Sequence, residues 1–154
     1  MFEVLMFLFE NYMDGSAALR ADSETIVLEL EKIGFDRYEI DRALDWIEGL
    51  HQVQGTVLAT SLSSRSMRYY LPEEQERLGV EGIGLLIYLE QMQVLDPATR
   101  EVVIDRLMAL DFRAVDLGRI RWVVLMALFN QPEKKSALIL LQDMILADAL
   151  GVLH

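Results

Sequence analysis

Asp116-Leu-Gly-Arg-Ile-Arg-Trp-Val-Val-Leu-Met-Ala-Leu-Phe-Asn-Gln131 decides the fold, and from Trp122 to Phe129 every side chain in it is apolar. Asp116 suits an N-cap, because its carboxylate accepts from the open amides of a first helical turn. Asn130-Gln131-Pro132 suits a stop, because the ring of Pro132 disfavours helix at the residue before it. A helix that is apolar all round has to be covered on most sides. At roughly 1.5–3 kcal/mol for each large side chain buried, such a segment contributes on the order of 10 kcal/mol before chain entropy is counted. The segment therefore reads as the central helix of an all-helical bundle.

The chain around it has 154 residues, 53% of them apolar, which argues against disorder. No apolar run approaches the roughly 18 residues that a membrane span needs. The opening Met1-Phe2-Glu3-Val4-Leu5-Met6-Phe7-Leu8-Phe9-Glu10 has no basic flank and carries Glu3 and Glu10. It reads as a buried first helix to Tyr12, with a docking face as the functional alternative, and not as a signal segment. The absence of cysteine excludes disulfides, thiol chemistry and thiolate metal sites, and is compatible with a reducing cytoplasm.

The formal net charge is −11. Residues 1–71 hold 12 acids against 6 bases and residues 72–154 hold 13 against 8, so both halves are acidic. Phosphate contacts require Lys and Arg gathered on one face, so a nucleic-acid surface is not expected. An acidic surface favours solubility and a basic protein partner.

In chain order, Asp22 or Ser23 caps a second helix to Ile33, and Gly34 supplies a left-handed C-cap. Asp36 and Glu39 have the spacing of a capping box for a third helix running to about Leu50. Gly55–Thr60 and Ser66–Leu71 are β-prone and flank a Ser-rich turn. Helix, helix-turn-helix, strand, turn, strand is the order of a winged-helix domain. The expected fold is therefore mainly α: a helical bundle whose N-terminal half, residues 1–75, is winged-helix-like with a small β-hairpin. Residues 76–154 form a helical half packed on it.

The would-be recognition helix opposes Arg37 and Arg42 with Glu39, Asp41, Asp45 and Glu48, which ill suits a negatively charged groove. The candidate nucleic-acid contacts are Arg65 and Arg68, in the acid-free stretch that would form the wing. Pro72 suits the first position of the next helix. Gly79-Val80-Glu81-Gly82-Ile83-Gly84 fits neither nucleotide fingerprint and reads as close helix packing or a loose helix start. Asp96-Pro97 is a cap followed by a helix-compatible proline, and a last helix follows Pro132. Glu101 and Asp105 have a spacing that two metal ligands can use, but Arg100 and Arg106 stand beside them and no histidine is near. His51 and His154 lie beyond the ends of the expected helices, with no nucleophile or ligand in sequence reach. No Ser elbow, metal-helix motif or dinucleotide fingerprint is present. No catalytic, cofactor or metal residues are therefore assigned, and the chain is read as no enzyme.

Further stretches carry a family resemblance. Met1-Phe2-Glu3-Val4-Leu5-Met6, Gly34-Phe35, Ala43-Leu44-Asp45-Trp46, Ser66-Met67-Arg68 and Pro72-Glu73-Glu74 belong to it. So do Leu89-Glu90-Gln91, Val94-Leu95, Thr99-Arg100-Glu101, Arg121-Trp122-Val123 and the terminal Leu153-His154. Together they resemble the Smg family of bacteria over nearly the whole chain. That resemblance implies a small cytoplasmic protein with no catalytic residues to carry over. Its genes' frequent neighbours, a DNA-processing protein and a topoisomerase-like protein, imply the alternative of an accessory factor binding nucleic acid weakly through the wing. The leading expectation is a non-enzymatic module that docks a protein partner or self-associates, with no cofactor and no membrane.

Overall fold

The computed structural model describes residues 1–12, 23–59, 69–129, 139 and 141–143. Six helices are defined there: α1 (Phe2–Tyr12), α2 (Ser23–Ile33), α3 (Arg37–Ala59), α4 (Pro72–Gln91), α5 (Pro97–Met108) and α6 (Leu117–Phe129). Ile139 and residues 141–143 are also helical. The chain divides into two compact units, Met1–His51 and Gln52–His154, with the division inside α3.

The β-hairpin is not formed, and with it the winged-helix reading falls. Among the described residues there is no strand. Gly55–Ala59, the body of the expected first strand, continues α3. Residues 66–68 of the expected second strand lie outside the described residues, and Tyr69–Leu71 is non-helical approach to α4. The physical reason is the weakness of β propensity as a local signal: Thr56 and Val57 favour strand by tenths of a kcal/mol, roughly, and tertiary contacts override that. One such contact is made from the same helix, where the Gln54 side-chain amide donates to the Ala127 carbonyl at 3.0 Å. Ala127 lies in the last turn of α6, where carbonyls have no intrahelical partner.

In the first unit α1 buries Phe2, Val4, Leu5 and Leu8, so most of its apolar side chains serve the core. Ile26, Val27 and Leu30 of α2 and Ile40, Ala43, Trp46, Ile47 and Leu50 of α3 are buried at helical spacing. The α2–α3 corner forms as its sequence predicts. Gly34 has φ 116°, the Gly34 amide donates to the Glu31 carbonyl at 3.1 Å, and the Phe35 amide reaches the Leu30 carbonyl at 3.1 Å. This is a Schellman closure, which glycine adopts without a Cβ penalty. Phe35 then meets Phe7 edge-on with ring centroids 5.7 Å apart. His51, expected past a helix end, lies within α3.

The second unit packs α4, α5 and α6 pairwise. Seven of the thirteen residues of α6 are buried: Ile120 and the unbroken run Val123–Leu128. Asp116 caps it as expected, its carboxylate accepting from the Arg119 amide at 2.8 Å. Asp96 does the same for α5, accepting from the Thr99 amide at 2.7 Å. Gly82 is the close-packing glycine of the Gly79–Gly84 stretch, since a Cβ there would lie 2.7 Å from Cδ1 of Ile120. Past α4, Gln93 takes φ 61° so that the Val94 amide reaches the Leu89 carbonyl at 2.9 Å.

One buried cation was not legible in the sequence. Arg100 on α5 is only 7% exposed. Its guanidinium donates to both carboxylate oxygens of Glu90 on α4, at 3.0 and 3.1 Å, and to Glu101. A charge out of water is tolerated only when it is paired and hydrogen-bonded in this way.

Candidate functional site

The start and outer face of α4 carry an apolar concavity. Leu71 is the N-cap of α4 and has no side-chain acceptor to offer. Glu74, buried in the first turn, takes over by accepting the Leu71 amide at 2.9 Å. The Gln75 side-chain amide donates back to the Tyr70 carbonyl at 2.9 Å. These two bonds fix the approach Tyr69-Tyr70-Leu71 against the first turn, with Pro72 at the position where its missing amide costs nothing.

Gly79 then breaks the helical path with φ 70° and ψ 172°, a region essentially restricted to glycine. Just before this kink, the Arg77 guanidinium donates to the carbonyls of Met108 and Leu110, the latter at 3.0 Å. The Arg77 carbonyl accepts the Val115 amide at 3.0 Å. The first segment of α4 is thereby tied to the α5–α6 connection. The second segment leaves Gly79 with a new direction.

A groove of about 730 Å³ opens along this bend. Its walls include Tyr69, Tyr70, Val80, Ile83, Gly84 and Ile87. Val80, Ile83, Gly84 and Ile87 follow the i, i+3, i+4, i+7 pattern, so they form one stripe of the second segment. Tyr69 is 95% exposed and Val80 91%. Solitary exposed apolar residues are ordinary, whereas a contiguous apolar concavity marks a contact surface. The sequence did contain its signal. Val80, Ile83 and Ile87 have helical spacing, and Leu86 and Leu89 on another side of the same helix are buried. A helix with two apolar faces has one too many for its own core.

The other candidates fare differently. Arg65 and Arg68 lie outside the described residues. Glu101 and Asp105, the spacing that resembled metal ligands, are held by guanidinium groups: Glu101 by Arg100 at 3.1 Å and Asp105 by Arg106 at 2.7 Å. Among the described residues no group of three or more His, Cys, Asp or Glu is arranged to hold a metal ion. No described helix is long and apolar enough to cross a membrane.

Fold and surface together define a class: an acidic, wholly helical protein in its described parts, with an apolar groove on a kinked helix. The family model described as "Protein of unknown function (DUF494)" matches residues 1–154. A protein named "Protein Smg homolog" from Shewanella piezotolerans is 42% identical over 156 residues, covering 100% of this chain and 99% of its own. Proteins of that name from Aeromonas salmonicida and Vibrio cholerae are each 40% identical over 157 residues, across 100% of this chain and 100% and 99% of theirs. The chain belongs to the Smg (DUF494) family. No solved structure matches it.

Proposed function

We propose that this protein is a non-enzymatic interaction module that docks a protein partner in the groove of α4. The observation that carries this reading is the exposure of Tyr69 and Val80, at 95% and 91%, on the rim of an apolar concavity. Apolar area left in water is a standing cost of about 25 cal/mol per Å², which a partner covering it removes. The polar residues nearby do structural work. Glu74 closes a helix start, Arg77 holds two carbonyls and Arg100 bridges two carboxylates. None of the three is left to act on a substrate.

The test is site-specific photocrosslinking in cells. A photoreactive residue at Val80 is expected to trap one discrete protein band. The same residue at Asp105, exposed on α5, is expected to trap none. Filling the groove by Gly84→Trp is expected to erase the Val80 band. Equal crosslinking at the two positions, or none at Val80, refutes the docking reading.

A further inference from the structure

The charges around the groove narrow its occupant. Glu73, Glu76 and Glu81 are exposed on α4, and no described cation pairs with them. Between Tyr69 and Gln93 the single basic residue is Arg77, whose guanidinium is turned to the carbonyls of Met108 and Leu110. Four other carboxylates of the same unit are paired: Glu90 and Glu101 with Arg100, Asp105 with Arg106, and Asp116 with Arg119. These three carboxylates stand on the helix that lines the groove, with no cation among the described residues to neutralise them. Like charges kept unpaired along an apolar surface favour an oppositely charged ligand and repel others.

The shape adds a second constraint. Gly84 stands midway along the stripe, and a Cβ there would have nothing within 4 Å. Gly82, two residues away, faces Ile120 and has no such room. Gly84 is therefore a notch in the groove floor, open to an incoming side chain. A groove of about 730 Å³ lies in the range, roughly 300–1,000 Å³, that accepts a few bulky anchors.

From the docking reading above, on which this step rests, we infer that the occupant is a basic amphipathic helix of a partner protein. Its apolar residues enter at helical spacing, one of them over Gly84, and its Lys and Arg residues lie against Glu73, Glu76 and Glu81. This is the helix-in-groove mode of recognition with an electrostatic rim. A second copy of this chain is the wrong occupant. Each copy carries −11, and a two-fold contact on this face would bring two sets of the same three carboxylates into one interface. Nucleic acid meets the same repulsion.

The experiment titrates the full-length protein by calorimetry with two synthetic helical peptides sharing one Leu face, one with Lys on its polar face and one with Glu. The Lys peptide is expected to bind, about tenfold or more tightly at low salt than at 0.5 M salt, and the Glu peptide not measurably. Gly84→Trp is expected to weaken the Lys peptide at least about tenfold without lowering the unfolding temperature, since the position has room and glycine is the poorer helix former. Val80→Lys, at a 91% exposed site, is expected to weaken it similarly and guards against a folding fault in the first variant. Joint Glu76→Lys and Glu81→Lys is expected to shift preference toward the Glu peptide. Equal binding of the two peptides, or Lys-peptide binding that both groove variants leave unchanged, overturns the inference. Sedimentation showing a dimer that Gly84→Trp dissociates also overturns it, in favour of self-association. A Val80 crosslink in cells alongside failure of the Lys peptide refutes the partner's chemistry and leaves docking standing. Loss of both refutes docking itself.

Discussion

Val124→Asp and Met126→Asp, each made alone, abolish cooperative unfolding of this protein. Both residues are buried in α6, at 0% and 3% exposure. They point to nearly opposite sides of the helix, because successive residues advance by about 100°. An amphipathic helix would tolerate a carboxylate on one of those sides. A helix covered all round tolerates it on neither. Moving an unpaired carboxylate out of water costs several kcal/mol even after relaxation. Total stability for a domain of this size is about 5–15 kcal/mol, so either substitution removes most of it. Circular dichroism during urea titration reads the result as loss of a sigmoidal transition. A normal transition in either variant contradicts burial on that side.

Arg100→Met has the next largest effect, a loss of about 2–4 kcal/mol. The guanidinium is nearly buried, whereas Glu90 and Glu101 are each 27% exposed, so water offsets part of what the carboxylates lose. For a chain of this length the loss corresponds to a fall in Tm of roughly 5–15 °C. Adding Glu90→Gln to Arg100→Met is expected to restore part of it, since the orphaned charge on α4 is then removed. Scanning calorimetry of the two variants decides the matter. A change below about 0.5 kcal/mol in Arg100→Met marks the cluster as a solvated surface pair instead.

The features visible in the sequence were those whose physics acts over a few residues. Asp96 and Asp116 cap helices because a carboxylate reaches an amide three positions on. Pro72 opens α4 and Gly34 closes α2 for equally local reasons. The apolar run Trp122–Phe129 was legible because no partner is needed to see that it must be covered. Smg family membership was legible in motifs spread over the whole chain, and the comparisons bear it out.

What escaped the sequence involves residues far apart in the chain. Gly55–Ala59 reads as strand locally. Its helix runs on toward Gln54's bond to Ala127, 73 positions away. Arg100 was visible in the sequence only as a cation beside Glu101, and only the approach of α4 to α5 brings Glu90 to it. The three glycines Gly79, Gly82 and Gly84 read as one packing feature and have three roles: a kink, a close approach to Ile120 and an open notch. The groove escaped for the same reason. Apolar side chains at helical spacing announce burial, and whether their own fold or a partner supplies it is settled by neighbouring helices.

Amide hydrogen exchange followed by mass spectrometry tests most directly whether α6 is the sheathed centre of its unit. If it is, the Val123–Leu128 amides are among the slowest in the protein and exchange only through global unfolding, at the free energy that denaturant titration gives. Exchange of that segment as fast as the Tyr69–Leu71 approach, or at a free energy several kcal/mol below global unfolding, contradicts the account.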